Sequence, residues 1–575
     1  MLNKNNLCAP WKRPRLTSCD RIGCGDVLSC WRVASSVITP VAEREWAMAL
    51  RRRSALFGSL SAMALAARPG FATENATLRI GARAPITSID PQFFSYSPNI
   101  AVGHMMFETL VRVDEQLNPK PGLAESWRPL GRDKWEFKLR SGIRFHNGES
   151  FDAEDVAFSI ARIPQIPNSP SPFTLYIREI KRVEVIDPLT LHFHTDGPAP
   201  LVPVNLRNIF MLSRKIHGSA TTNDFNDGRA AIGTGPFRFV SFENKERVVM
   251  TRHDTYWGER PAWQRVEYRP VPSDPARSAA LISGDLDLIA DVAAADLPRL
   301  RGDRNLGVAE ALSRAMVYIG LNFSEGAAPQ MTATDGSTLA SNPLRDLRVR
   351  RALSLAIDRA AIAERIMGGA AEPTLQPSPA GAFGHDPQLT AFQPDLREAR
   401  ALLAAAGYPD GFRIVLSAPS DTIANGSRIA QAIGQMWTRI GIRPEVETQP
   451  GASLKARADR QELGAWLQTL IASGGEPSPI IIAGLATFSR ASGYGSYNSG
   501  RYSNPELDGL LREGLGELDD ARREEIFRRI ARIIAGDLGV IPLHTPKLSW
   551  AMRGNLGFRA RADGSTRAQN VFRRS

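Results

Sequence analysis

Between residues 134 and 163 the chain changes its period. Trp135, Phe137 and Leu139 alternate with polar residues, and Ile143 and Phe145 alternate again after Ser141 and Gly142. A period of 2 on both sides of a turn predicts two strands paired as a hairpin. Val156, Ile160 and Ile163 then follow at i, i+4 and i+7, the spacing of a helix face, with Asp152 at the N-cap and Asp155 at N3 of a capping box. Each marked residue has a packing or capping role, so this segment by itself reads as a folding module without a site.

The same reading extends along the chain. Residues 77–82 predict an opening strand, followed by the loop Ile89, Asp90, Pro91, Gln92 and a helical stretch through Leu110. Strands are expected over 183–186 and 189–195, then a helix from Ala279 stopped by Gly284 and a strand carrying Leu286 and Leu288. Asn342 and Pro343 predict a cap and N1 for a helix with Val349, Leu353 and Ile357 on one face; Asp395 caps another, stopped by Gly407. A strand over 412–417, a helix over 427–440 and a strand over 442–446 imply a parallel pair joined by a right-handed crossover. Ligands bind beyond the carboxyl ends of such strands, which marks the loop 418–426 as a candidate site. Asn504 and Pro505 open a C-terminal helix pair whose stripe of Ile526, Ile530 and Ile533 is core.

At 575 residues the chain exceeds what one core sustains, so two or more lobes are expected. Its net charge of +11 is unevenly spread: 60 of the 71 Lys/Arg and 56 of the 60 Asp/Glu fall after residue 72, leaving the main body nearly neutral. With no Lys/Arg run interleaved with aromatics there, nucleic-acid binding is not expected. The excess lies at the N-terminus, where Arg51, Arg52 and Arg53 precede an apolar run over 55–67 and then Gly70, Phe71, Ala72. Residues 48–72 read as a signal peptide, too short in its apolar run to span a bilayer. Sec and Tat export are both compatible with it. Residues 1–47 read as an upstream extension outside the fold. They hold all four cysteines, Cys8, Cys19, Cys24 and Cys30, so a chain starting near Thr73 has no disulfide, thiolate or lipid-anchoring cysteine, as suits a freely diffusing periplasmic protein.

Candidate chemistry is sparse. After residue 72 there is no HExxH, P-loop or GxSxG, the commonest hydrolase and nucleotide signals. Asp285 and Asp287 near a turn read as solvated carboxylates. His192 and His194 share one strand face at i, i+2, a spacing that can supply two ligands to one metal. No third ligand is evident in the sequence, and Leu191 and Phe193 make the opposite face apolar, so an exposed strand face without a metal is the expectation.

The stretch 122–160, GLAESWRPLGRDKWEFKLRSGIRFHNGESFDAEDVAFSI, resembles the signature block of the family 5 solute-binding proteins of ABC importers. Gly233, Thr234, Gly235, Pro236 and Tyr256, Trp257, Gly258 resemble the landmarks that follow it, and the resemblance runs in order over roughly 77 to 560. It implies a two-lobed α/β periplasmic binding protein, type II and cluster C-like, with mixed sheets, a first-lobe subdomain over about 113–230 and a two-segment hinge. The implied first lobe covers 73–318, with a crossing at 317–322; the second lobe covers 319–545, and 546–575 return to the first. No catalysis or cofactor is implied. The partners are a peptide or small-molecule ligand and the ABC permease with its ATPase; a monomer is expected.

The resemblance also places ligand contacts. Where peptide binders carry an aspartate for the ligand's amino group, this chain has Gly474, Gly475 and Glu476; where dipeptide binders carry an arginine, it has Ser420 and Asp421. Two carboxylates suit a cationic or amine-bearing ligand, including opine-like conjugates. Ser95, Tyr96 and Asn99 in the first lobe, with Tyr494 and Tyr497 in a Gly-rich stretch, complete the expected set. Capture of a metal chelate or haem, for which the His pair must face the cleft, and a secreted chaperone or sensor-binding role stay open as alternatives.

Overall fold

The computed structural model describes residues 77–472 and 474–574. The expected extension 1–47 and signal peptide 48–72 lie outside the described residues. Thr73–Ser575 forms one compact unit, a two-lobed α/β fold whose sheets are mixed.

In the first lobe Thr77–Ala82 lies parallel to Arg265–Pro270 on one side and to Leu288–Ile289 on the other, with Arg247–Arg252 and Phe237–Glu243 continuing antiparallel. In the second lobe Ala315–Leu321 pairs antiparallel with Ala465–Ile471, and Arg413–Pro419 lies parallel to both Ala465–Ile471 and Arg443–Gln449. The predicted parallel unit is therefore present, with helix Gly426–Thr438 as its crossover.

One strand, Val540–Arg553, joins the two lobes. Its first residues pair with Ala315–Leu321, and from Lys547 onward it pairs with Leu306–Leu312. Pro546 marks the change of partner: lacking an N–H it cannot complete a ladder, but its carbonyl accepts from Ser313 N–H at 2.9 Å. The other crossing is at Ser313 and Arg314, where the Arg314 carbonyl accepts from Ala472 N–H at 2.8 Å. Ala315–Leu321 is buried along its whole length and paired on both edges, so it has no free length with which to bend.

Local signals translate directly where the cap is close in sequence. Asp152 accepts from the backbone N–H of Glu154 and Asp155 while Asp155 accepts from Asp152 N–H at 3.2 Å, starting helix Ala153–Arg162. Asp395 and Asn504 cap Leu396–Ala405 and Pro505–Gly516 as expected. Two elements differ. Asn342 caps only a 3-10 turn, Pro343–Arg345, and Asp346 caps the following helix Leu347–Leu355. The hairpin also fails: Lys134–Leu139 is paired on one edge with Ala124–Pro129 and on the other with Thr190–His194. With both edges taken, Ile143 and Phe145 still bury themselves in the subdomain core, but as a loop closed by an Arg144–Ser150 bridge.

Gly233 and Gly235 serve a close approach. A Cβ on Gly233 would sit 2.0 Å from the Met106 carbonyl, the same oxygen that accepts from Gly235 N–H at 2.9 Å. The turn lies flat on the end of helix Ser97–Met106, and only glycine fits there.

Buried histidines make this fold acid-sensitive. His217 Nδ1 lies 2.9 Å from the Ser213 nitrogen and 3.0 Å from its carbonyl oxygen, and Nε2 lies 3.1 Å from the Ala230 carbonyl oxygen. His544, on the hinge strand, has neither ring nitrogen hydrogen-bonded among the described residues. Burial lowers both to about 4. The unfolded chain therefore takes up these protons first as the pH falls, and stability that is full above the ordinary histidine pKa is lost as the pH drops toward 4. Each should contribute a loss on the order of 3 kcal/mol. Denaturant melts at neutral pH and near pH 4.5 should show the midpoint falling, and His544→Met should show a smaller fall; an equal fall in the variant would remove His544 from this account.

Candidate functional site

A cavity of about 620 Å³ lies at the hinge. Its floor includes Ser313, Arg314 and Ala315 from one crossing and Pro546 from the other. Ala82, Tyr268 and Ala290 line it from the carboxyl ends of the first-lobe parallel strands, where open α/β sheets place ligands. Ile471 and Ala472 come from the second lobe. Residues from both lobes thus share one wall with the segments about which the lobes would turn.

The charge of that wall is mostly cationic. Arg207, Arg314 and Arg567 line it, together with Asp291 and Asp563. Asp563 is already engaged: Arg561 donates to it through Nε at 3.1 Å and through a terminal nitrogen at 2.9 Å, and Arg567 reaches it at 3.3 Å. Burial alone would push the Asp563 carboxyl up, but Arg561 and Arg567 outweigh it and hold it below the usual carboxylate range. Burial, then the neighbouring Arg561, lowers Arg567 to about 9.

Arg314 differs from these. It is 4% exposed, and its Nε is buried without a hydrogen-bond partner among the described residues. Burial lowers its pKa to about 10, with Asp114 pulling up and Arg207 pushing down, so it is a desolvated cation at neutral pH. Leaving such a group without a partner costs several kcal/mol. A carboxylate reaching it would form a charge-assisted hydrogen bond, the strong kind.

The cationic cluster was not among the expected contacts. Arg561, Asp563 and Arg567 sit in the loop between the short paired strands Leu556–Phe558 and Val571–Arg573, a region that reads only as a tail in the sequence. The one legible signal was Asp563 with Gly564, a turn dipeptide flanked by arginines.

Of the ten expected contacts, Ser95 lines the cavity. Tyr96 precedes helix Ser97–Met106 and stacks on Phe94 at 5.0 Å. Asn99 is buried and accepts from Thr87 N–H at 3.0 Å, which holds a loop. Ser420 is exposed, with its N–H donating to Gln449, and the Asp421 carboxylate accepts from Gly451 N–H at 2.8 Å. Tyr494 packs beside the second-lobe core, and Tyr497 is exposed with Lys455 over its ring.

The stretch 474–476 lies off the cavity wall. Glu476 is buried and forms an ion pair with Arg523, whose Nε donates to the Gly514 carbonyl at 3.0 Å. Ser478 donates to the same carboxylate. Gly475, at φ 82°, lies against Leu117 of the first lobe, itself at φ 68°. A Cβ on Gly475 would be 2.9 Å from the Leu117 Cβ and carbonyl, so only glycine allows this inter-lobe contact. Gly474 adjoins it, partly exposed. His192 and His194 lie outside the cavity wall.

The family model for bacterial extracellular solute-binding proteins, family 5, matches residues 118–490. The chain belongs to this family. The binding protein is 28% identical over 455 residues to heme-binding protein A of Haemophilus influenzae, covering 74% of this chain and 78% of that one. It is 26% identical over 537 residues to di/tripeptide-binding protein 2 of Pseudomonas aeruginosa, covering 89% and 97%. Its fold matches that of MppA, a periplasmic murein tripeptide binding protein, in its unliganded open form, with a TM-score of 0.76 at 21% identity over 87% and 98% of the two chains. The binding protein is accordingly the substrate-binding component of an ABC importer, in a family of receptors rather than enzymes. Among the described residues no helix is long and apolar enough to cross a membrane.

Proposed function

We propose that the binding protein captures a small peptide or peptide-like compound bearing a free carboxylate, holds it at the hinge, and delivers it to its permease in the closed form. The observation that carries this reading is Arg314, a buried guanidinium on the hinge whose Nε has no hydrogen-bond partner among the described residues and which faces a cavity of a size usual for small ligands. Asp291, on the same wall, can take an ammonium group, so a ligand with both termini, or an opine-like conjugate, suits the charge pattern. Haem and di- or tripeptides, the compounds in the two relatives' names, all carry carboxylates. This reading replaces the acidic anchor expected at Glu476, whose charge Arg523 already neutralises. Export to the periplasm through the signal peptide at 48–72 and a monomeric state belong to the same proposal.

The test is a thermal-shift screen of ligand-stripped protein against di- and tripeptides, opines, their C-terminal amides, and polyamines. Free carboxylates should raise the midpoint, and the amides should not. Equal shifts from acids and amides would refute the anionic reading. A response confined to polyamines would restore the acidic one.

A further inference from the structure

We propose that Glu184, His192 and His194 form a divalent transition-metal site on the outer sheet of the first lobe, with Glu136 orienting His192. In this four-stranded sheet the order is Ala124–Pro129, Lys134–Leu139, Thr190–His194, Arg182–Asp187. Register places His192 directly opposite Glu136 on one neighbour and Glu184 on the other, and His194 opposite Arg182. Alternation then sends Leu191 and Phe193 into the core, where both are fully buried, and the two imidazoles to the opposite face.

The sequence supplied two ligands of one metal; the sheet supplies the third. His194 Nε2 lies 2.6 Å from a Glu184 oxygen, and His192 Nδ1 lies 3.8 Å from that same oxygen. One ligand atom from each of the three residues falls within 4.8 Å of the others. Around a tetrahedral zinc ion, with metal–ligand distances near 2.0–2.1 Å, neighbouring ligand atoms stand about 3.3 Å apart. The spacings here bracket that value, so small side-chain rotations close the site.

The second nitrogen of His192 faces a carboxylate. Nε2 lies 3.7 Å from a Glu136 oxygen, beyond hydrogen-bond distance, and the same small rotation that closes the site would bring the two together, holding the proton on Nε2 and leaving Nδ1 free for the metal. Two imidazoles and a carboxylate are a borderline donor set that suits Zn²⁺ or Ni²⁺ and not Mg²⁺ or Ca²⁺. In the present arrangement Arg182 donates to His194 Nε2 at 2.8 Å and approaches Glu184 at 3.4 Å. It stands where the cation would stand, and because it is largely exposed its displacement costs little. Arg128 bonds the Glu136 oxygen that His192 does not face, so it does not compete for the orienting contact.

The site is separate from the ligand cavity, which none of these four residues lines. Calorimetric titration of Zn²⁺ and Ni²⁺ into untagged, chelator-treated protein tests it. We expect one ion per chain, with at least a tenfold loss of affinity in His192→Ala and in His194→Gln, and a visible d–d band of tetrahedral type when Co²⁺ is the probe. Arg182→Gln should bind more tightly than wild type, because the competing cation is gone. Absence of stoichiometric binding, or binding unchanged in both histidine variants, would overturn the site.

Discussion

Arg314→Met should abolish ligand capture and at the same time raise the melting temperature of the ligand-free protein. Arg314 is nearly fully buried, and its Nε has no partner among the described residues, so the apo state bears a desolvation cost that Asp114 offsets only in part. A side chain of similar volume without charge removes that cost, and replacing buried charges with well-packed apolar groups is commonly neutral or stabilising by about 1–4 kcal/mol. In the bound state the balance reverses. Truncating one partner of a buried, hydrogen-bonded charge pair costs about 2–5 kcal/mol, or roughly 30-fold to several thousand-fold in affinity. Melting curves of ligand-stripped protein, with calorimetry against a hit from the carboxylate screen, would show both effects. A variant that melts lower and binds normally would make Arg314 a structural residue of the hinge and would leave the anion site unsupported. Such opposed effects on stability and binding are what a site held in readiness for its ligand produces.

Glu476→Ala should destabilise the second lobe by about 3–5 kcal/mol, because it leaves the Arg523 guanidinium buried without its counter-ion. Arg523 cannot readily swing into solvent: its Nε is bonded to the Gly514 carbonyl, and the group lies over Phe383 and Phe527 at 5.0 and 5.1 Å. Replacing both partners, as Glu476→Leu with Arg523→Met, should recover most of the loss, since the cost lies in the orphaned charge and not in the missing attraction. Denaturant titration of the two single variants and the pair decides this. Were Glu476 a ligand anchor, the alanine variant would keep its stability and lose only binding. The neighbouring Glu179 adds a second carboxyl; burial raises its pKa, opposed first by Arg178 and reinforced by Glu476. Part of it should thus become neutral as the pH falls, which lessens the repulsion from Glu476.

The elements that the sequence announced correctly share one trait: their deciding interactions span a few residues. The Asp152 and Asp155 box, the Asp395 cap and the parallel unit around Gly426–Thr438 each depend on spacing along the chain. Where the outcome depended on competition between partners, reading failed. Lys134–Leu139 has the same alternation whether it pairs with Ile143 and Phe145 or with Thr190–His194, and only the assembled sheet decides. The motif at 122–160 identified the family because it is long and continuous. The ligand contacts were not legible in the same way, because they depend on which side chains face the hinge.

Sequence by itself therefore determined the family, the two-lobed α/β class, several helices with the caps at Asp152, Asp395 and Asn504, and the pairing of His192 with His194 on one strand face. Tertiary structure alone decided that Glu476 is neutralised by Arg523, that a C-terminal loop brings Arg567 to the same cavity as Arg314, and that Glu184 stands beside both histidines. The reason is the range of the forces. Capping and periodicity act within about one turn or one strand and are written in adjacent residues. A charge's meaning depends on burial and on its nearest counter-charge, which here lies 47 residues away for Glu476 and cannot be read from spacing.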